Sequence, residues 1–566
     1  MRKMAWLAVI GVLAAGCAKK ASTGADLLIR HANIHTMDEK NPRATALAVR
    51  GDKVLWVGDD KNAAEYIGAH TRVVDAGGRL LLPGFIDSHF HVSLGNDPNV
   101  ARITGNSLKE IQEQVKAYAD SRAELRWIEM DGWNYSAFPN GTLPTAKDLE
   151  GLTGKRPAFL VAYDYHTIWM NKEALAAFGI SKSTRAVKFA EDVLHDKKTG
   201  EPTGIVVGFG STGLSTEAEE QLSKILPSHA HESAPARVQQ LLQRAARAGI
   251  TTVIDPQTYP ETVPLYAQLE KEGRLPQRLQ VALFHRRGSS DATIEQFAEL
   301  RKQYNDDTFR VAAVKLYIDD VIEPHTAAML GPYTDRPDTR GRLDYPVQEF
   351  NEVVAKLDQR SFQIFTHATG DRGIRTALDA YEYARKVNGA RDSRHEIVHD
   401  ECLTEQDIPR FKALGVTACM QPRHCAPDIT GQWAKAVGPQ RWKYAWAFRS
   451  LRDAGATLAF ASDWNVAEME PEIGIYTALT RKGLDGKPDG GWIPEQTIDI
   501  ETAVKGYTIN GAWANFVEGN RGSLVAGKYA DLVLLSGDMF SMEADKIRDV
   551  NVVWTVVGGK EKYRAF

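Results

Sequence analysis

The 566-residue sequence has little cysteine, no marked excess of charge of either sign and no long apolar segment. Its 69 lysines and arginines nearly balance 73 aspartates and glutamates, so the formal net charge is -4 at pH 7. This balance provides no basic field to neutralise phosphates, which argues against a nucleic-acid-binding protein. The mostly apolar run at residues 4–16 is shorter than the ~20 residues that span a bilayer. The composition favours a globular protein.

Four cysteines are present: Cys17 near the start, and Cys402, Cys419 and Cys425 in the last third. No C-x-x-C spacing indicates a metal site, and the three later cysteines are an odd number. An oxidising compartment would allow one disulfide among them. We expect instead three buried, unreactive thiols.

Residues 1–17 have the pattern of an export signal. Met1, Arg2 and Lys3 form a short positive start, and the apolar run follows. The segment ends in Leu-Ala-Ala-Gly-Cys, which resembles the lipobox of bacterial lipoproteins, where the cysteine becomes the lipidated N-terminus. We therefore expect an exported lipoprotein, anchored to the membrane through Cys17 on the periplasmic or cell-surface side. A conventional signal peptide with an incidental cysteine is the alternative.

The two ends of the remaining chain are rich in strand-like runs, at residues 25–82 and 519–566. Neither end has enough apolar length to fold alone. We expect them to pair in one small β-sandwich.

Residues 83–515 alternate short β-branched runs with helical segments, which is typical of parallel β/α units in an α/β protein. Eight such runs predict a (β/α)8 TIM barrel. The stretch at about 95–235 is too long for one crossover, so we expect an inserted subdomain over the mouth of the barrel. The predicted strands are residues 84–89, 251–255, 279–284, 311–318, 362–368, 395–399, 416–421 and 457–463.

Polar side chains end or lie within several of these strands, and active sites of such barrels lie at the carboxyl ends of the strands. His89 and His91 are two residues apart, so on a strand both face one side and can bind one ion. Neutral imidazoles with a carboxylate suit zinc or a similar divalent metal. Each residue alone is a weak signal, but their joint placement predicts a metal site. The full set is His89, His91, Lys315, His367, His399 and Asp463.

Several stretches resemble the amidohydrolase superfamily: PGFIDSHFH, VKLY, THATGDRG, RHEIVH and ASD. DYHTIWMN, GEPTG, HATGDRG and MQPRH resemble its YtcJ-like branch, amidohydrolase family 3. The resemblance covers essentially the whole chain after the export signal. It implies a metal-dependent hydrolase with one or two divalent ions, zinc being the first choice.

The resemblance also implies roles for the residues of the set. His89 and His91 would hold the more buried ion. His367 and His399 would hold the second ion. Lys315 would bridge both as a carbamate, because a bare ammonium beside a dication is electrostatically unfavourable.

The expected reaction is hydrolysis of a non-peptide C–N bond, in an amide, N-acyl, N-formyl or cyclic amide group of a small molecule. A metal in this site lowers the pKa of a bound water, which attacks the carbonyl carbon. Asp463 would ligate the first ion, take the proton and deliver it to the leaving amine. His166 and His424 lie where the family places substrate-side groups, and Trp133 is a candidate lining residue for an apolar substrate.

Two other functions fit parts of the sequence. HEIVH at residues 395–399 matches the H-E-x-x-H motif of zinc proteases, which requires a helix. Ile397 and Val398 are β-branched, so we predict a strand there. A surface lipoprotein that binds a metal or ligand without catalysis would need a broken ligand set, and this set is intact. Besides the amide-type substrate and the membrane, a homo-oligomer is compatible with the sequence.

Overall fold

The computed structural model describes residues 24–92, 100–138, 142–209, 216–226 and 234–566. The predicted export signal and Cys17 lie outside these ranges. Within them, no helix combines the length and the apolar character that crossing a membrane requires.

Eight parallel strands form the central barrel, and the predicted TIM barrel is confirmed. Each strand pairs with the one before it in the sequence. The predicted positions are right, although the first strand ends at Asp87, before His89, and the last ends at Phe460, before Asp463. The strands are Phe85–Asp87 (β1), Ile250–Thr258 (β2), Arg278–Phe284 (β3), Phe309–Tyr317 (β4), Gln363–Ala368 (β5), Glu396–His399 (β6), Thr417–Met420 (β7) and Thr457–Phe460 (β8).

The segments that follow β1 and β8 close the ring. The backbone N–H of Ser88 donates to the carbonyl of Phe460 at 3.3 Å, and that of Asp463 donates to the carbonyl of His89 at 2.9 Å. The Asp87 carboxyl lies in the same junction and accepts from the backbone N–H of His89 at 3.2 Å and of Ser462 at 3.1 Å. The closure therefore holds the segment that carries His89 and His91 beside the end of β8.

Helices surround the barrel and pack an apolar face against it. In the helix Asp371–Asn388, the spacing of Ile374, Ala377, Leu378 and Tyr381 gives one buried stripe, as expected for an amphipathic helix. A smaller apolar cluster that includes Ala313 and Val398 fills the inside of the barrel. The helices are Ala234–Arg247, Val263–Lys271, Asp291–Gln303, Val347–Gln359, Asp371–Asn388, Ile408–Leu414, Gly431–Val437, Phe448–Asp453, Pro471–Thr480, Ile500–Gly506 and Ile509–Ala514.

Both ends of the chain contribute to a pair of sheets with one shared apolar core, which includes Leu47, Leu81, Leu532 and Trp554. One sheet contains Leu27–Arg30, Ala46–Arg50, Lys53–Gly58 and Arg72–Asp75. The other contains Asn33–His35, Arg43–Ala44, Leu80–Pro83, Leu532–Leu535, Val552–Val557 and Lys560–Arg564. In the second sheet Leu80–Pro83 pairs with Leu532–Leu535, so the two ends hydrogen-bond directly.

Between β1 and β2 the chain forms a separate six-stranded sheet with its own apolar cores. Its strands are Val100–Arg102, Ile128–Trp133, Ala158–Ala162, Thr167–Met170, Asp192–His195 and Pro202–Val207. Its helices are Leu108–Ser121, Lys172–Ala177 and Thr216–Ile225. The sheet reaches the loops after the barrel strands, since Tyr163 donates to Glu323 and His166 bonds to Asp320.

Candidate metal centre

Three predicted ligands converge at the carboxyl end of the barrel. His89, His399 and Asp463 each offer a ligand atom, and these atoms all lie within 4.8 Å of one another. The fourth, His91, places its Nε2 3.2 Å from Asp463 Oδ1, and His89 Nε2 lies 3.4 Å from the same oxygen. All four side chains are buried.

The backbone of two of these residues is left-handed. φ is 85° at His399 and 56° at Asp463, a region that few non-glycine residues adopt. This conformation turns the His399 side chain out of the alternation that β6 imposes, and it occurs at Asp463 three residues beyond the end of β8. Unusual backbone conformations of this kind gather at functional sites, where the surrounding fold holds them in place.

His367 joins the cluster from β5, with its ring centroid 4.5 Å from that of His399. His367 Nε2 donates to the carbonyl of Asp320 at 3.1 Å, and His399 Nδ1 donates to Gln421 Oε1 at 2.9 Å. Each bond fixes the proton on one ring nitrogen and leaves a lone pair on the other. Metal-binding histidines are oriented in this way by their outer nitrogen.

The electrostatics keep the imidazoles neutral. Burial, reinforced by the charge of Lys315, lowers the pKa of His89 and His367 well below its usual value. Burial and the neighbouring His367 do the same to the pKa of His399. Neutral imidazole is the form that binds a metal.

Lys315 and Asp463 are the charged members of the cluster. Burial lowers the pKa of Lys315 to about 8. Burial alone would raise the pKa of Asp463, but the close approach and charge of His91 hold it below its usual value. Lys315 is completely buried in β4, with its Nζ 4.8 Å from the centre of the Tyr317 ring.

Several polar atoms of this cluster are buried without a hydrogen-bond partner. They are both ring nitrogens of His89, Nζ of Lys315, Oδ1 of Asp463 and Nε2 of His424. Buried polar atoms are normally paired because leaving them unpaired is costly. Imidazole nitrogens and a carboxylate oxygen that lack partners and face one another fit a divalent metal ion.

A pocket opens beside the cluster. His166 and His424, the predicted substrate-side histidines, both line it. His166 Nδ1 bonds to Asp320, and although burial lowers its pKa, the charge of Asp320 raises it to about 9. The His424 ring lies parallel to that of His399, and its Nε2 is 3.8 Å from Asp463 Oδ2.

Trp133 lies elsewhere, and its predicted place in a substrate pocket is wrong. Its side chain is fully buried in the core of the inserted sheet, where the indole N–H donates to the carbonyl of Leu160 at 3.1 Å. It packs edge-on against Trp169. An aromatic residue of this kind belongs to the core and does not line the cavity.

The H-E-x-x-H segment is a strand, β6, so the zinc-protease alternative is excluded. His395 immediately precedes this strand, and His399 is its last residue. His395 bonds to Asp358 of the helix Val347–Gln359 and takes no part in the metal cluster. The three cysteines of the described ranges are buried and free, as predicted.

Sequence reasoning missed the residues that support and line the site. Asp320 orients His166 and His367, and Gln421 orients His399. Asp164, Glu323 and Glu401 line the cavity. Four of these five follow a barrel strand within six residues, so a search of all polar residues after strand ends would have found them.

Comparison with known proteins agrees with this architecture. The sequence profile described as "Amidohydrolase family" matches residues 72–563. The YtcJ protein of Bacillus subtilis (strain 168) is 25% identical over 94% of this chain and 98% of its own length. The N-substituted formamide deformylase of Arthrobacter pascens is 24% identical over 95% of this chain and 98% of its own.

Among solved structures, an uncharacterized metal-dependent hydrolase from Pyrococcus horikoshii OT3 has the same fold, with a TM-score of 0.69 at 22% identity. The match covers 92% of this chain and 99% of that one. Together, the barrel, the cluster of metal-binding side chains and the family match confirm the resemblance drawn from the sequence motifs. The chain belongs to the amidohydrolase family.

Proposed function

We propose that the chain hydrolyses a non-peptide C–N bond of a small molecule, in an N-acyl, N-formyl or cyclic amide group. The observation that carries this proposal is the convergence of His89, His399 and Asp463, with unpaired polar atoms, beside a cavity. The similarity to an N-substituted formamide deformylase supports a formamide as the first substrate to test.

The residues that would hold the metal are His89, His91, His367, His399, Lys315 and Asp463. Nitrogen and oxygen ligands of this kind suit zinc, which is our first choice among divalent ions. When bound, such an ion polarises a carbonyl and lowers the pKa of water so that it becomes nucleophilic at neutral pH. A carbamate on Lys315 could bridge two ions, whereas an unmodified Lys315 would leave a site for one.

We propose that Lys315 carries a carbamate. The amine nitrogen would bond to the carbon of CO2 and release one proton, turning a buried cation into an anionic ligand. The support is its position: Nζ is completely buried without a partner in a site for a dication. Carbon-13 NMR after exposure to labelled bicarbonate should show a carbamate signal that is missing in Lys315→Ala.

Asp463 is the proposed proton carrier. The nearby His91 imidazole holds the pKa of Asp463 below its usual value, so the carboxylate is ionised and can accept a proton from the attacking water. It can then release that proton to the nitrogen of the leaving amine. His166, fixed by Asp320, and His424 line the cavity and would orient the substrate carbonyl.

The test is turnover by the full-length, zinc-loaded chain of a panel of formamides, N-acyl amino acids, hydantoins and lactones. We expect release of free amine from at least one formamide or amide, with turnover at least about 100-fold lower in Asp463→Asn. A protein that holds metal but turns over nothing would contradict hydrolysis and favour a binding role.

We also propose that the chain is exported and held at the membrane by a lipid on Cys17. The support is the lipobox-like sequence at residues 13–17. Expression in a bacterial host with radiolabelled palmitate should label the wild-type chain and leave Cys17→Ala unlabelled. Equal labelling of both would contradict the proposal.

A further inference from the structure

Besides Asp463, three carboxyl groups line the cavity beside the metal cluster. Asp164 comes from the inserted sheet, Glu323 follows β4 and Glu401 follows β6. Each side chain belongs to a residue that is only 8% exposed. These groups are not among the proposed metal ligands, so their burial in the cavity wall needs another reason.

Each carboxyl is held in place by a donor from the protein. Tyr163 Oη donates to Glu323 Oε1 at 2.8 Å, and Trp433 Nε1 donates to Glu401 Oε2 at 2.9 Å. The backbone N–H of His166 donates to Asp164 Oδ1 at 3.0 Å. The other oxygen, Asp164 Oδ2, is buried and has no partner. A fixed acceptor is therefore left unpaired in the cavity wall.

The described part of the cavity wall contains no lysine or arginine to balance these charges. The one strongly basic histidine, His166, is already paired with Asp320. Burial, together with the charge of Asp164, raises the pKa of Glu323 to about 7. Burial also raises the pKa of Asp164. A cation placed between these groups would relieve the cost of burying them.

The geometry fits an organic cation better than a metal ion. Within the described ranges, only His89, His399 and Asp463 bring three ligand atoms within 4.8 Å of one another. Over the same ranges, these three carboxyls do not form a second cluster of that kind. Val321, Ile429 and Trp446 add apolar surface to the same cavity, which suits the methylene groups of a substrate arm.

We propose that this cavity selects substrates that carry an ammonium or amidinium group, held by Glu323 and Asp164 while the amide lies at the metal cluster. The inference rests on the proposed hydrolase function and names its substrate class. The cation must bear N–H groups, because the carboxylates can only accept hydrogen bonds. Buried hydrogen bonds to charged groups give a preference of about tenfold or more.

The experiment compares three formamides of matched length on the full-length, zinc-loaded chain at pH 8: N-(5-aminopentyl)formamide, N-hexylformamide and 5-formamidopentanoate. We expect kcat/KM for the ammonium substrate to exceed that of the neutral one at least about tenfold, with the carboxylate poorest. Glu323→Gln should lower the ammonium-to-neutral ratio at least about fivefold. Asp164→Asn should do the same if Glu323→Gln does not fold. Glu299→Gln, on an exposed face of the helix Asp291–Gln303, is the matched control and should keep the ratio.

A second arm measures binding without turnover. Titration with pentylammonium and with 1-pentanol, followed by tryptophan fluorescence, should show tighter binding of the cation in the wild type. Turnover of the neutral formamide with no preference for the cation would overturn the inference and leave the hydrolase standing. Tighter binding of pentylammonium with no turnover of any amide would keep the cation site and contradict the hydrolase. Equal binding of both probes would overturn the cation site.

Discussion

The two ends of the barrel both bury histidine beside aspartate, but they pair their polar atoms differently. At the amino end, His395 Nε2 lies 3.2 Å from Asp358 Oδ1, and its Nδ1 accepts from the backbone N–H of Ile364 at 3.2 Å. At the carboxyl end, both ring nitrogens of His89 and one oxygen of Asp463 have no hydrogen-bond partner. The same two residue types are thus hydrogen-bonded at the amino end, while some of their polar atoms have no partner at the carboxyl end.

This difference separates a structural pair from a ligand site. Asp358 also accepts from Arg391 at 2.7 Å and from Asn388 at 2.8 Å, so the amino-end network is complete. A complete network stabilises the fold and leaves no unpaired polar atom to bind a ligand. The carboxyl end keeps lone pairs free at a cost in stability, and a bound metal would recover that cost. The predictions below test this contrast.

The largest expected effect is at the carboxyl end. Asp463→Asn removes the proposed proton carrier, so turnover should fall at least about 100-fold. Most of the metal should remain, because the four histidines are unchanged. Steady-state kinetics together with metal analysis by mass spectrometry checks both statements. Full activity in this variant would rule out Asp463 as the proton carrier.

At the amino end the effect should be on stability alone. His395→Ala leaves Asp358 without one buried partner, so unfolding should become easier by about 1–3 kcal/mol. Metal content should not change. Urea denaturation measures the loss, with His70→Ala at an exposed position as the control. Loss of metal in His395→Ala would show that the two ends are not independent.

The same pair predicts a dependence on pH. Burial raises the pKa of Asp358, but the hydrogen bonds from His395 and Asn388, together with the charge of Arg391, outweigh it and lower the pKa from 3.8 to about 2. Because the folded-state pKa is the lower one, this stability is fully present above pH 3.8 and is lost as the pH falls towards 2. Its size is about 2 kcal/mol. Asp358→Asn should remove this part of the acid sensitivity, seen as a smaller change in urea midpoint between pH 5 and pH 3.

The smallest effect is expected for Glu396→Gln. Alternation along β6 places Glu396 on the same side as Val398, which belongs to the apolar cluster inside the barrel. It is the first residue of β6, at the end of the strand away from the metal cluster, so we expect no general-base role and a change in kcat of less than about tenfold. Metal content should stay the same. Complete loss of turnover with full metal would return a catalytic role to this glutamate.

Much of the fold and the core of the site could be predicted from local sequence. The barrel strands are short β-branched runs, and the ligands are polar residues at or just beyond their ends. The link between His395 and Asp358 spans 37 residues, and that between Tyr163 and Glu323 spans 160. Such pairings depend on how distant elements pack, so the sequence pattern did not reveal them.

Two further features could not be predicted from the sequence, each for a different reason. Trp133 follows the same aromatic pattern whether it fills a core or lines a pocket, and only packing decides between them. The left-handed backbone at His399 and Asp463 is not specified by residue type, because most aspartates and histidines have negative φ. The backbone conformation sets the direction of these two candidate ligands, whereas their residue types could be read from the sequence.

The most direct test of the central claim is the metal content of His399→Ala and His395→Ala, measured side by side with the wild type. The two histidines are four residues apart, His395 just before the start of β6 and His399 at its end. We predict at least one divalent ion per wild-type chain, a clear loss in His399→Ala and no loss in His395→Ala. Equal loss in both variants, or none in either, would contradict the account.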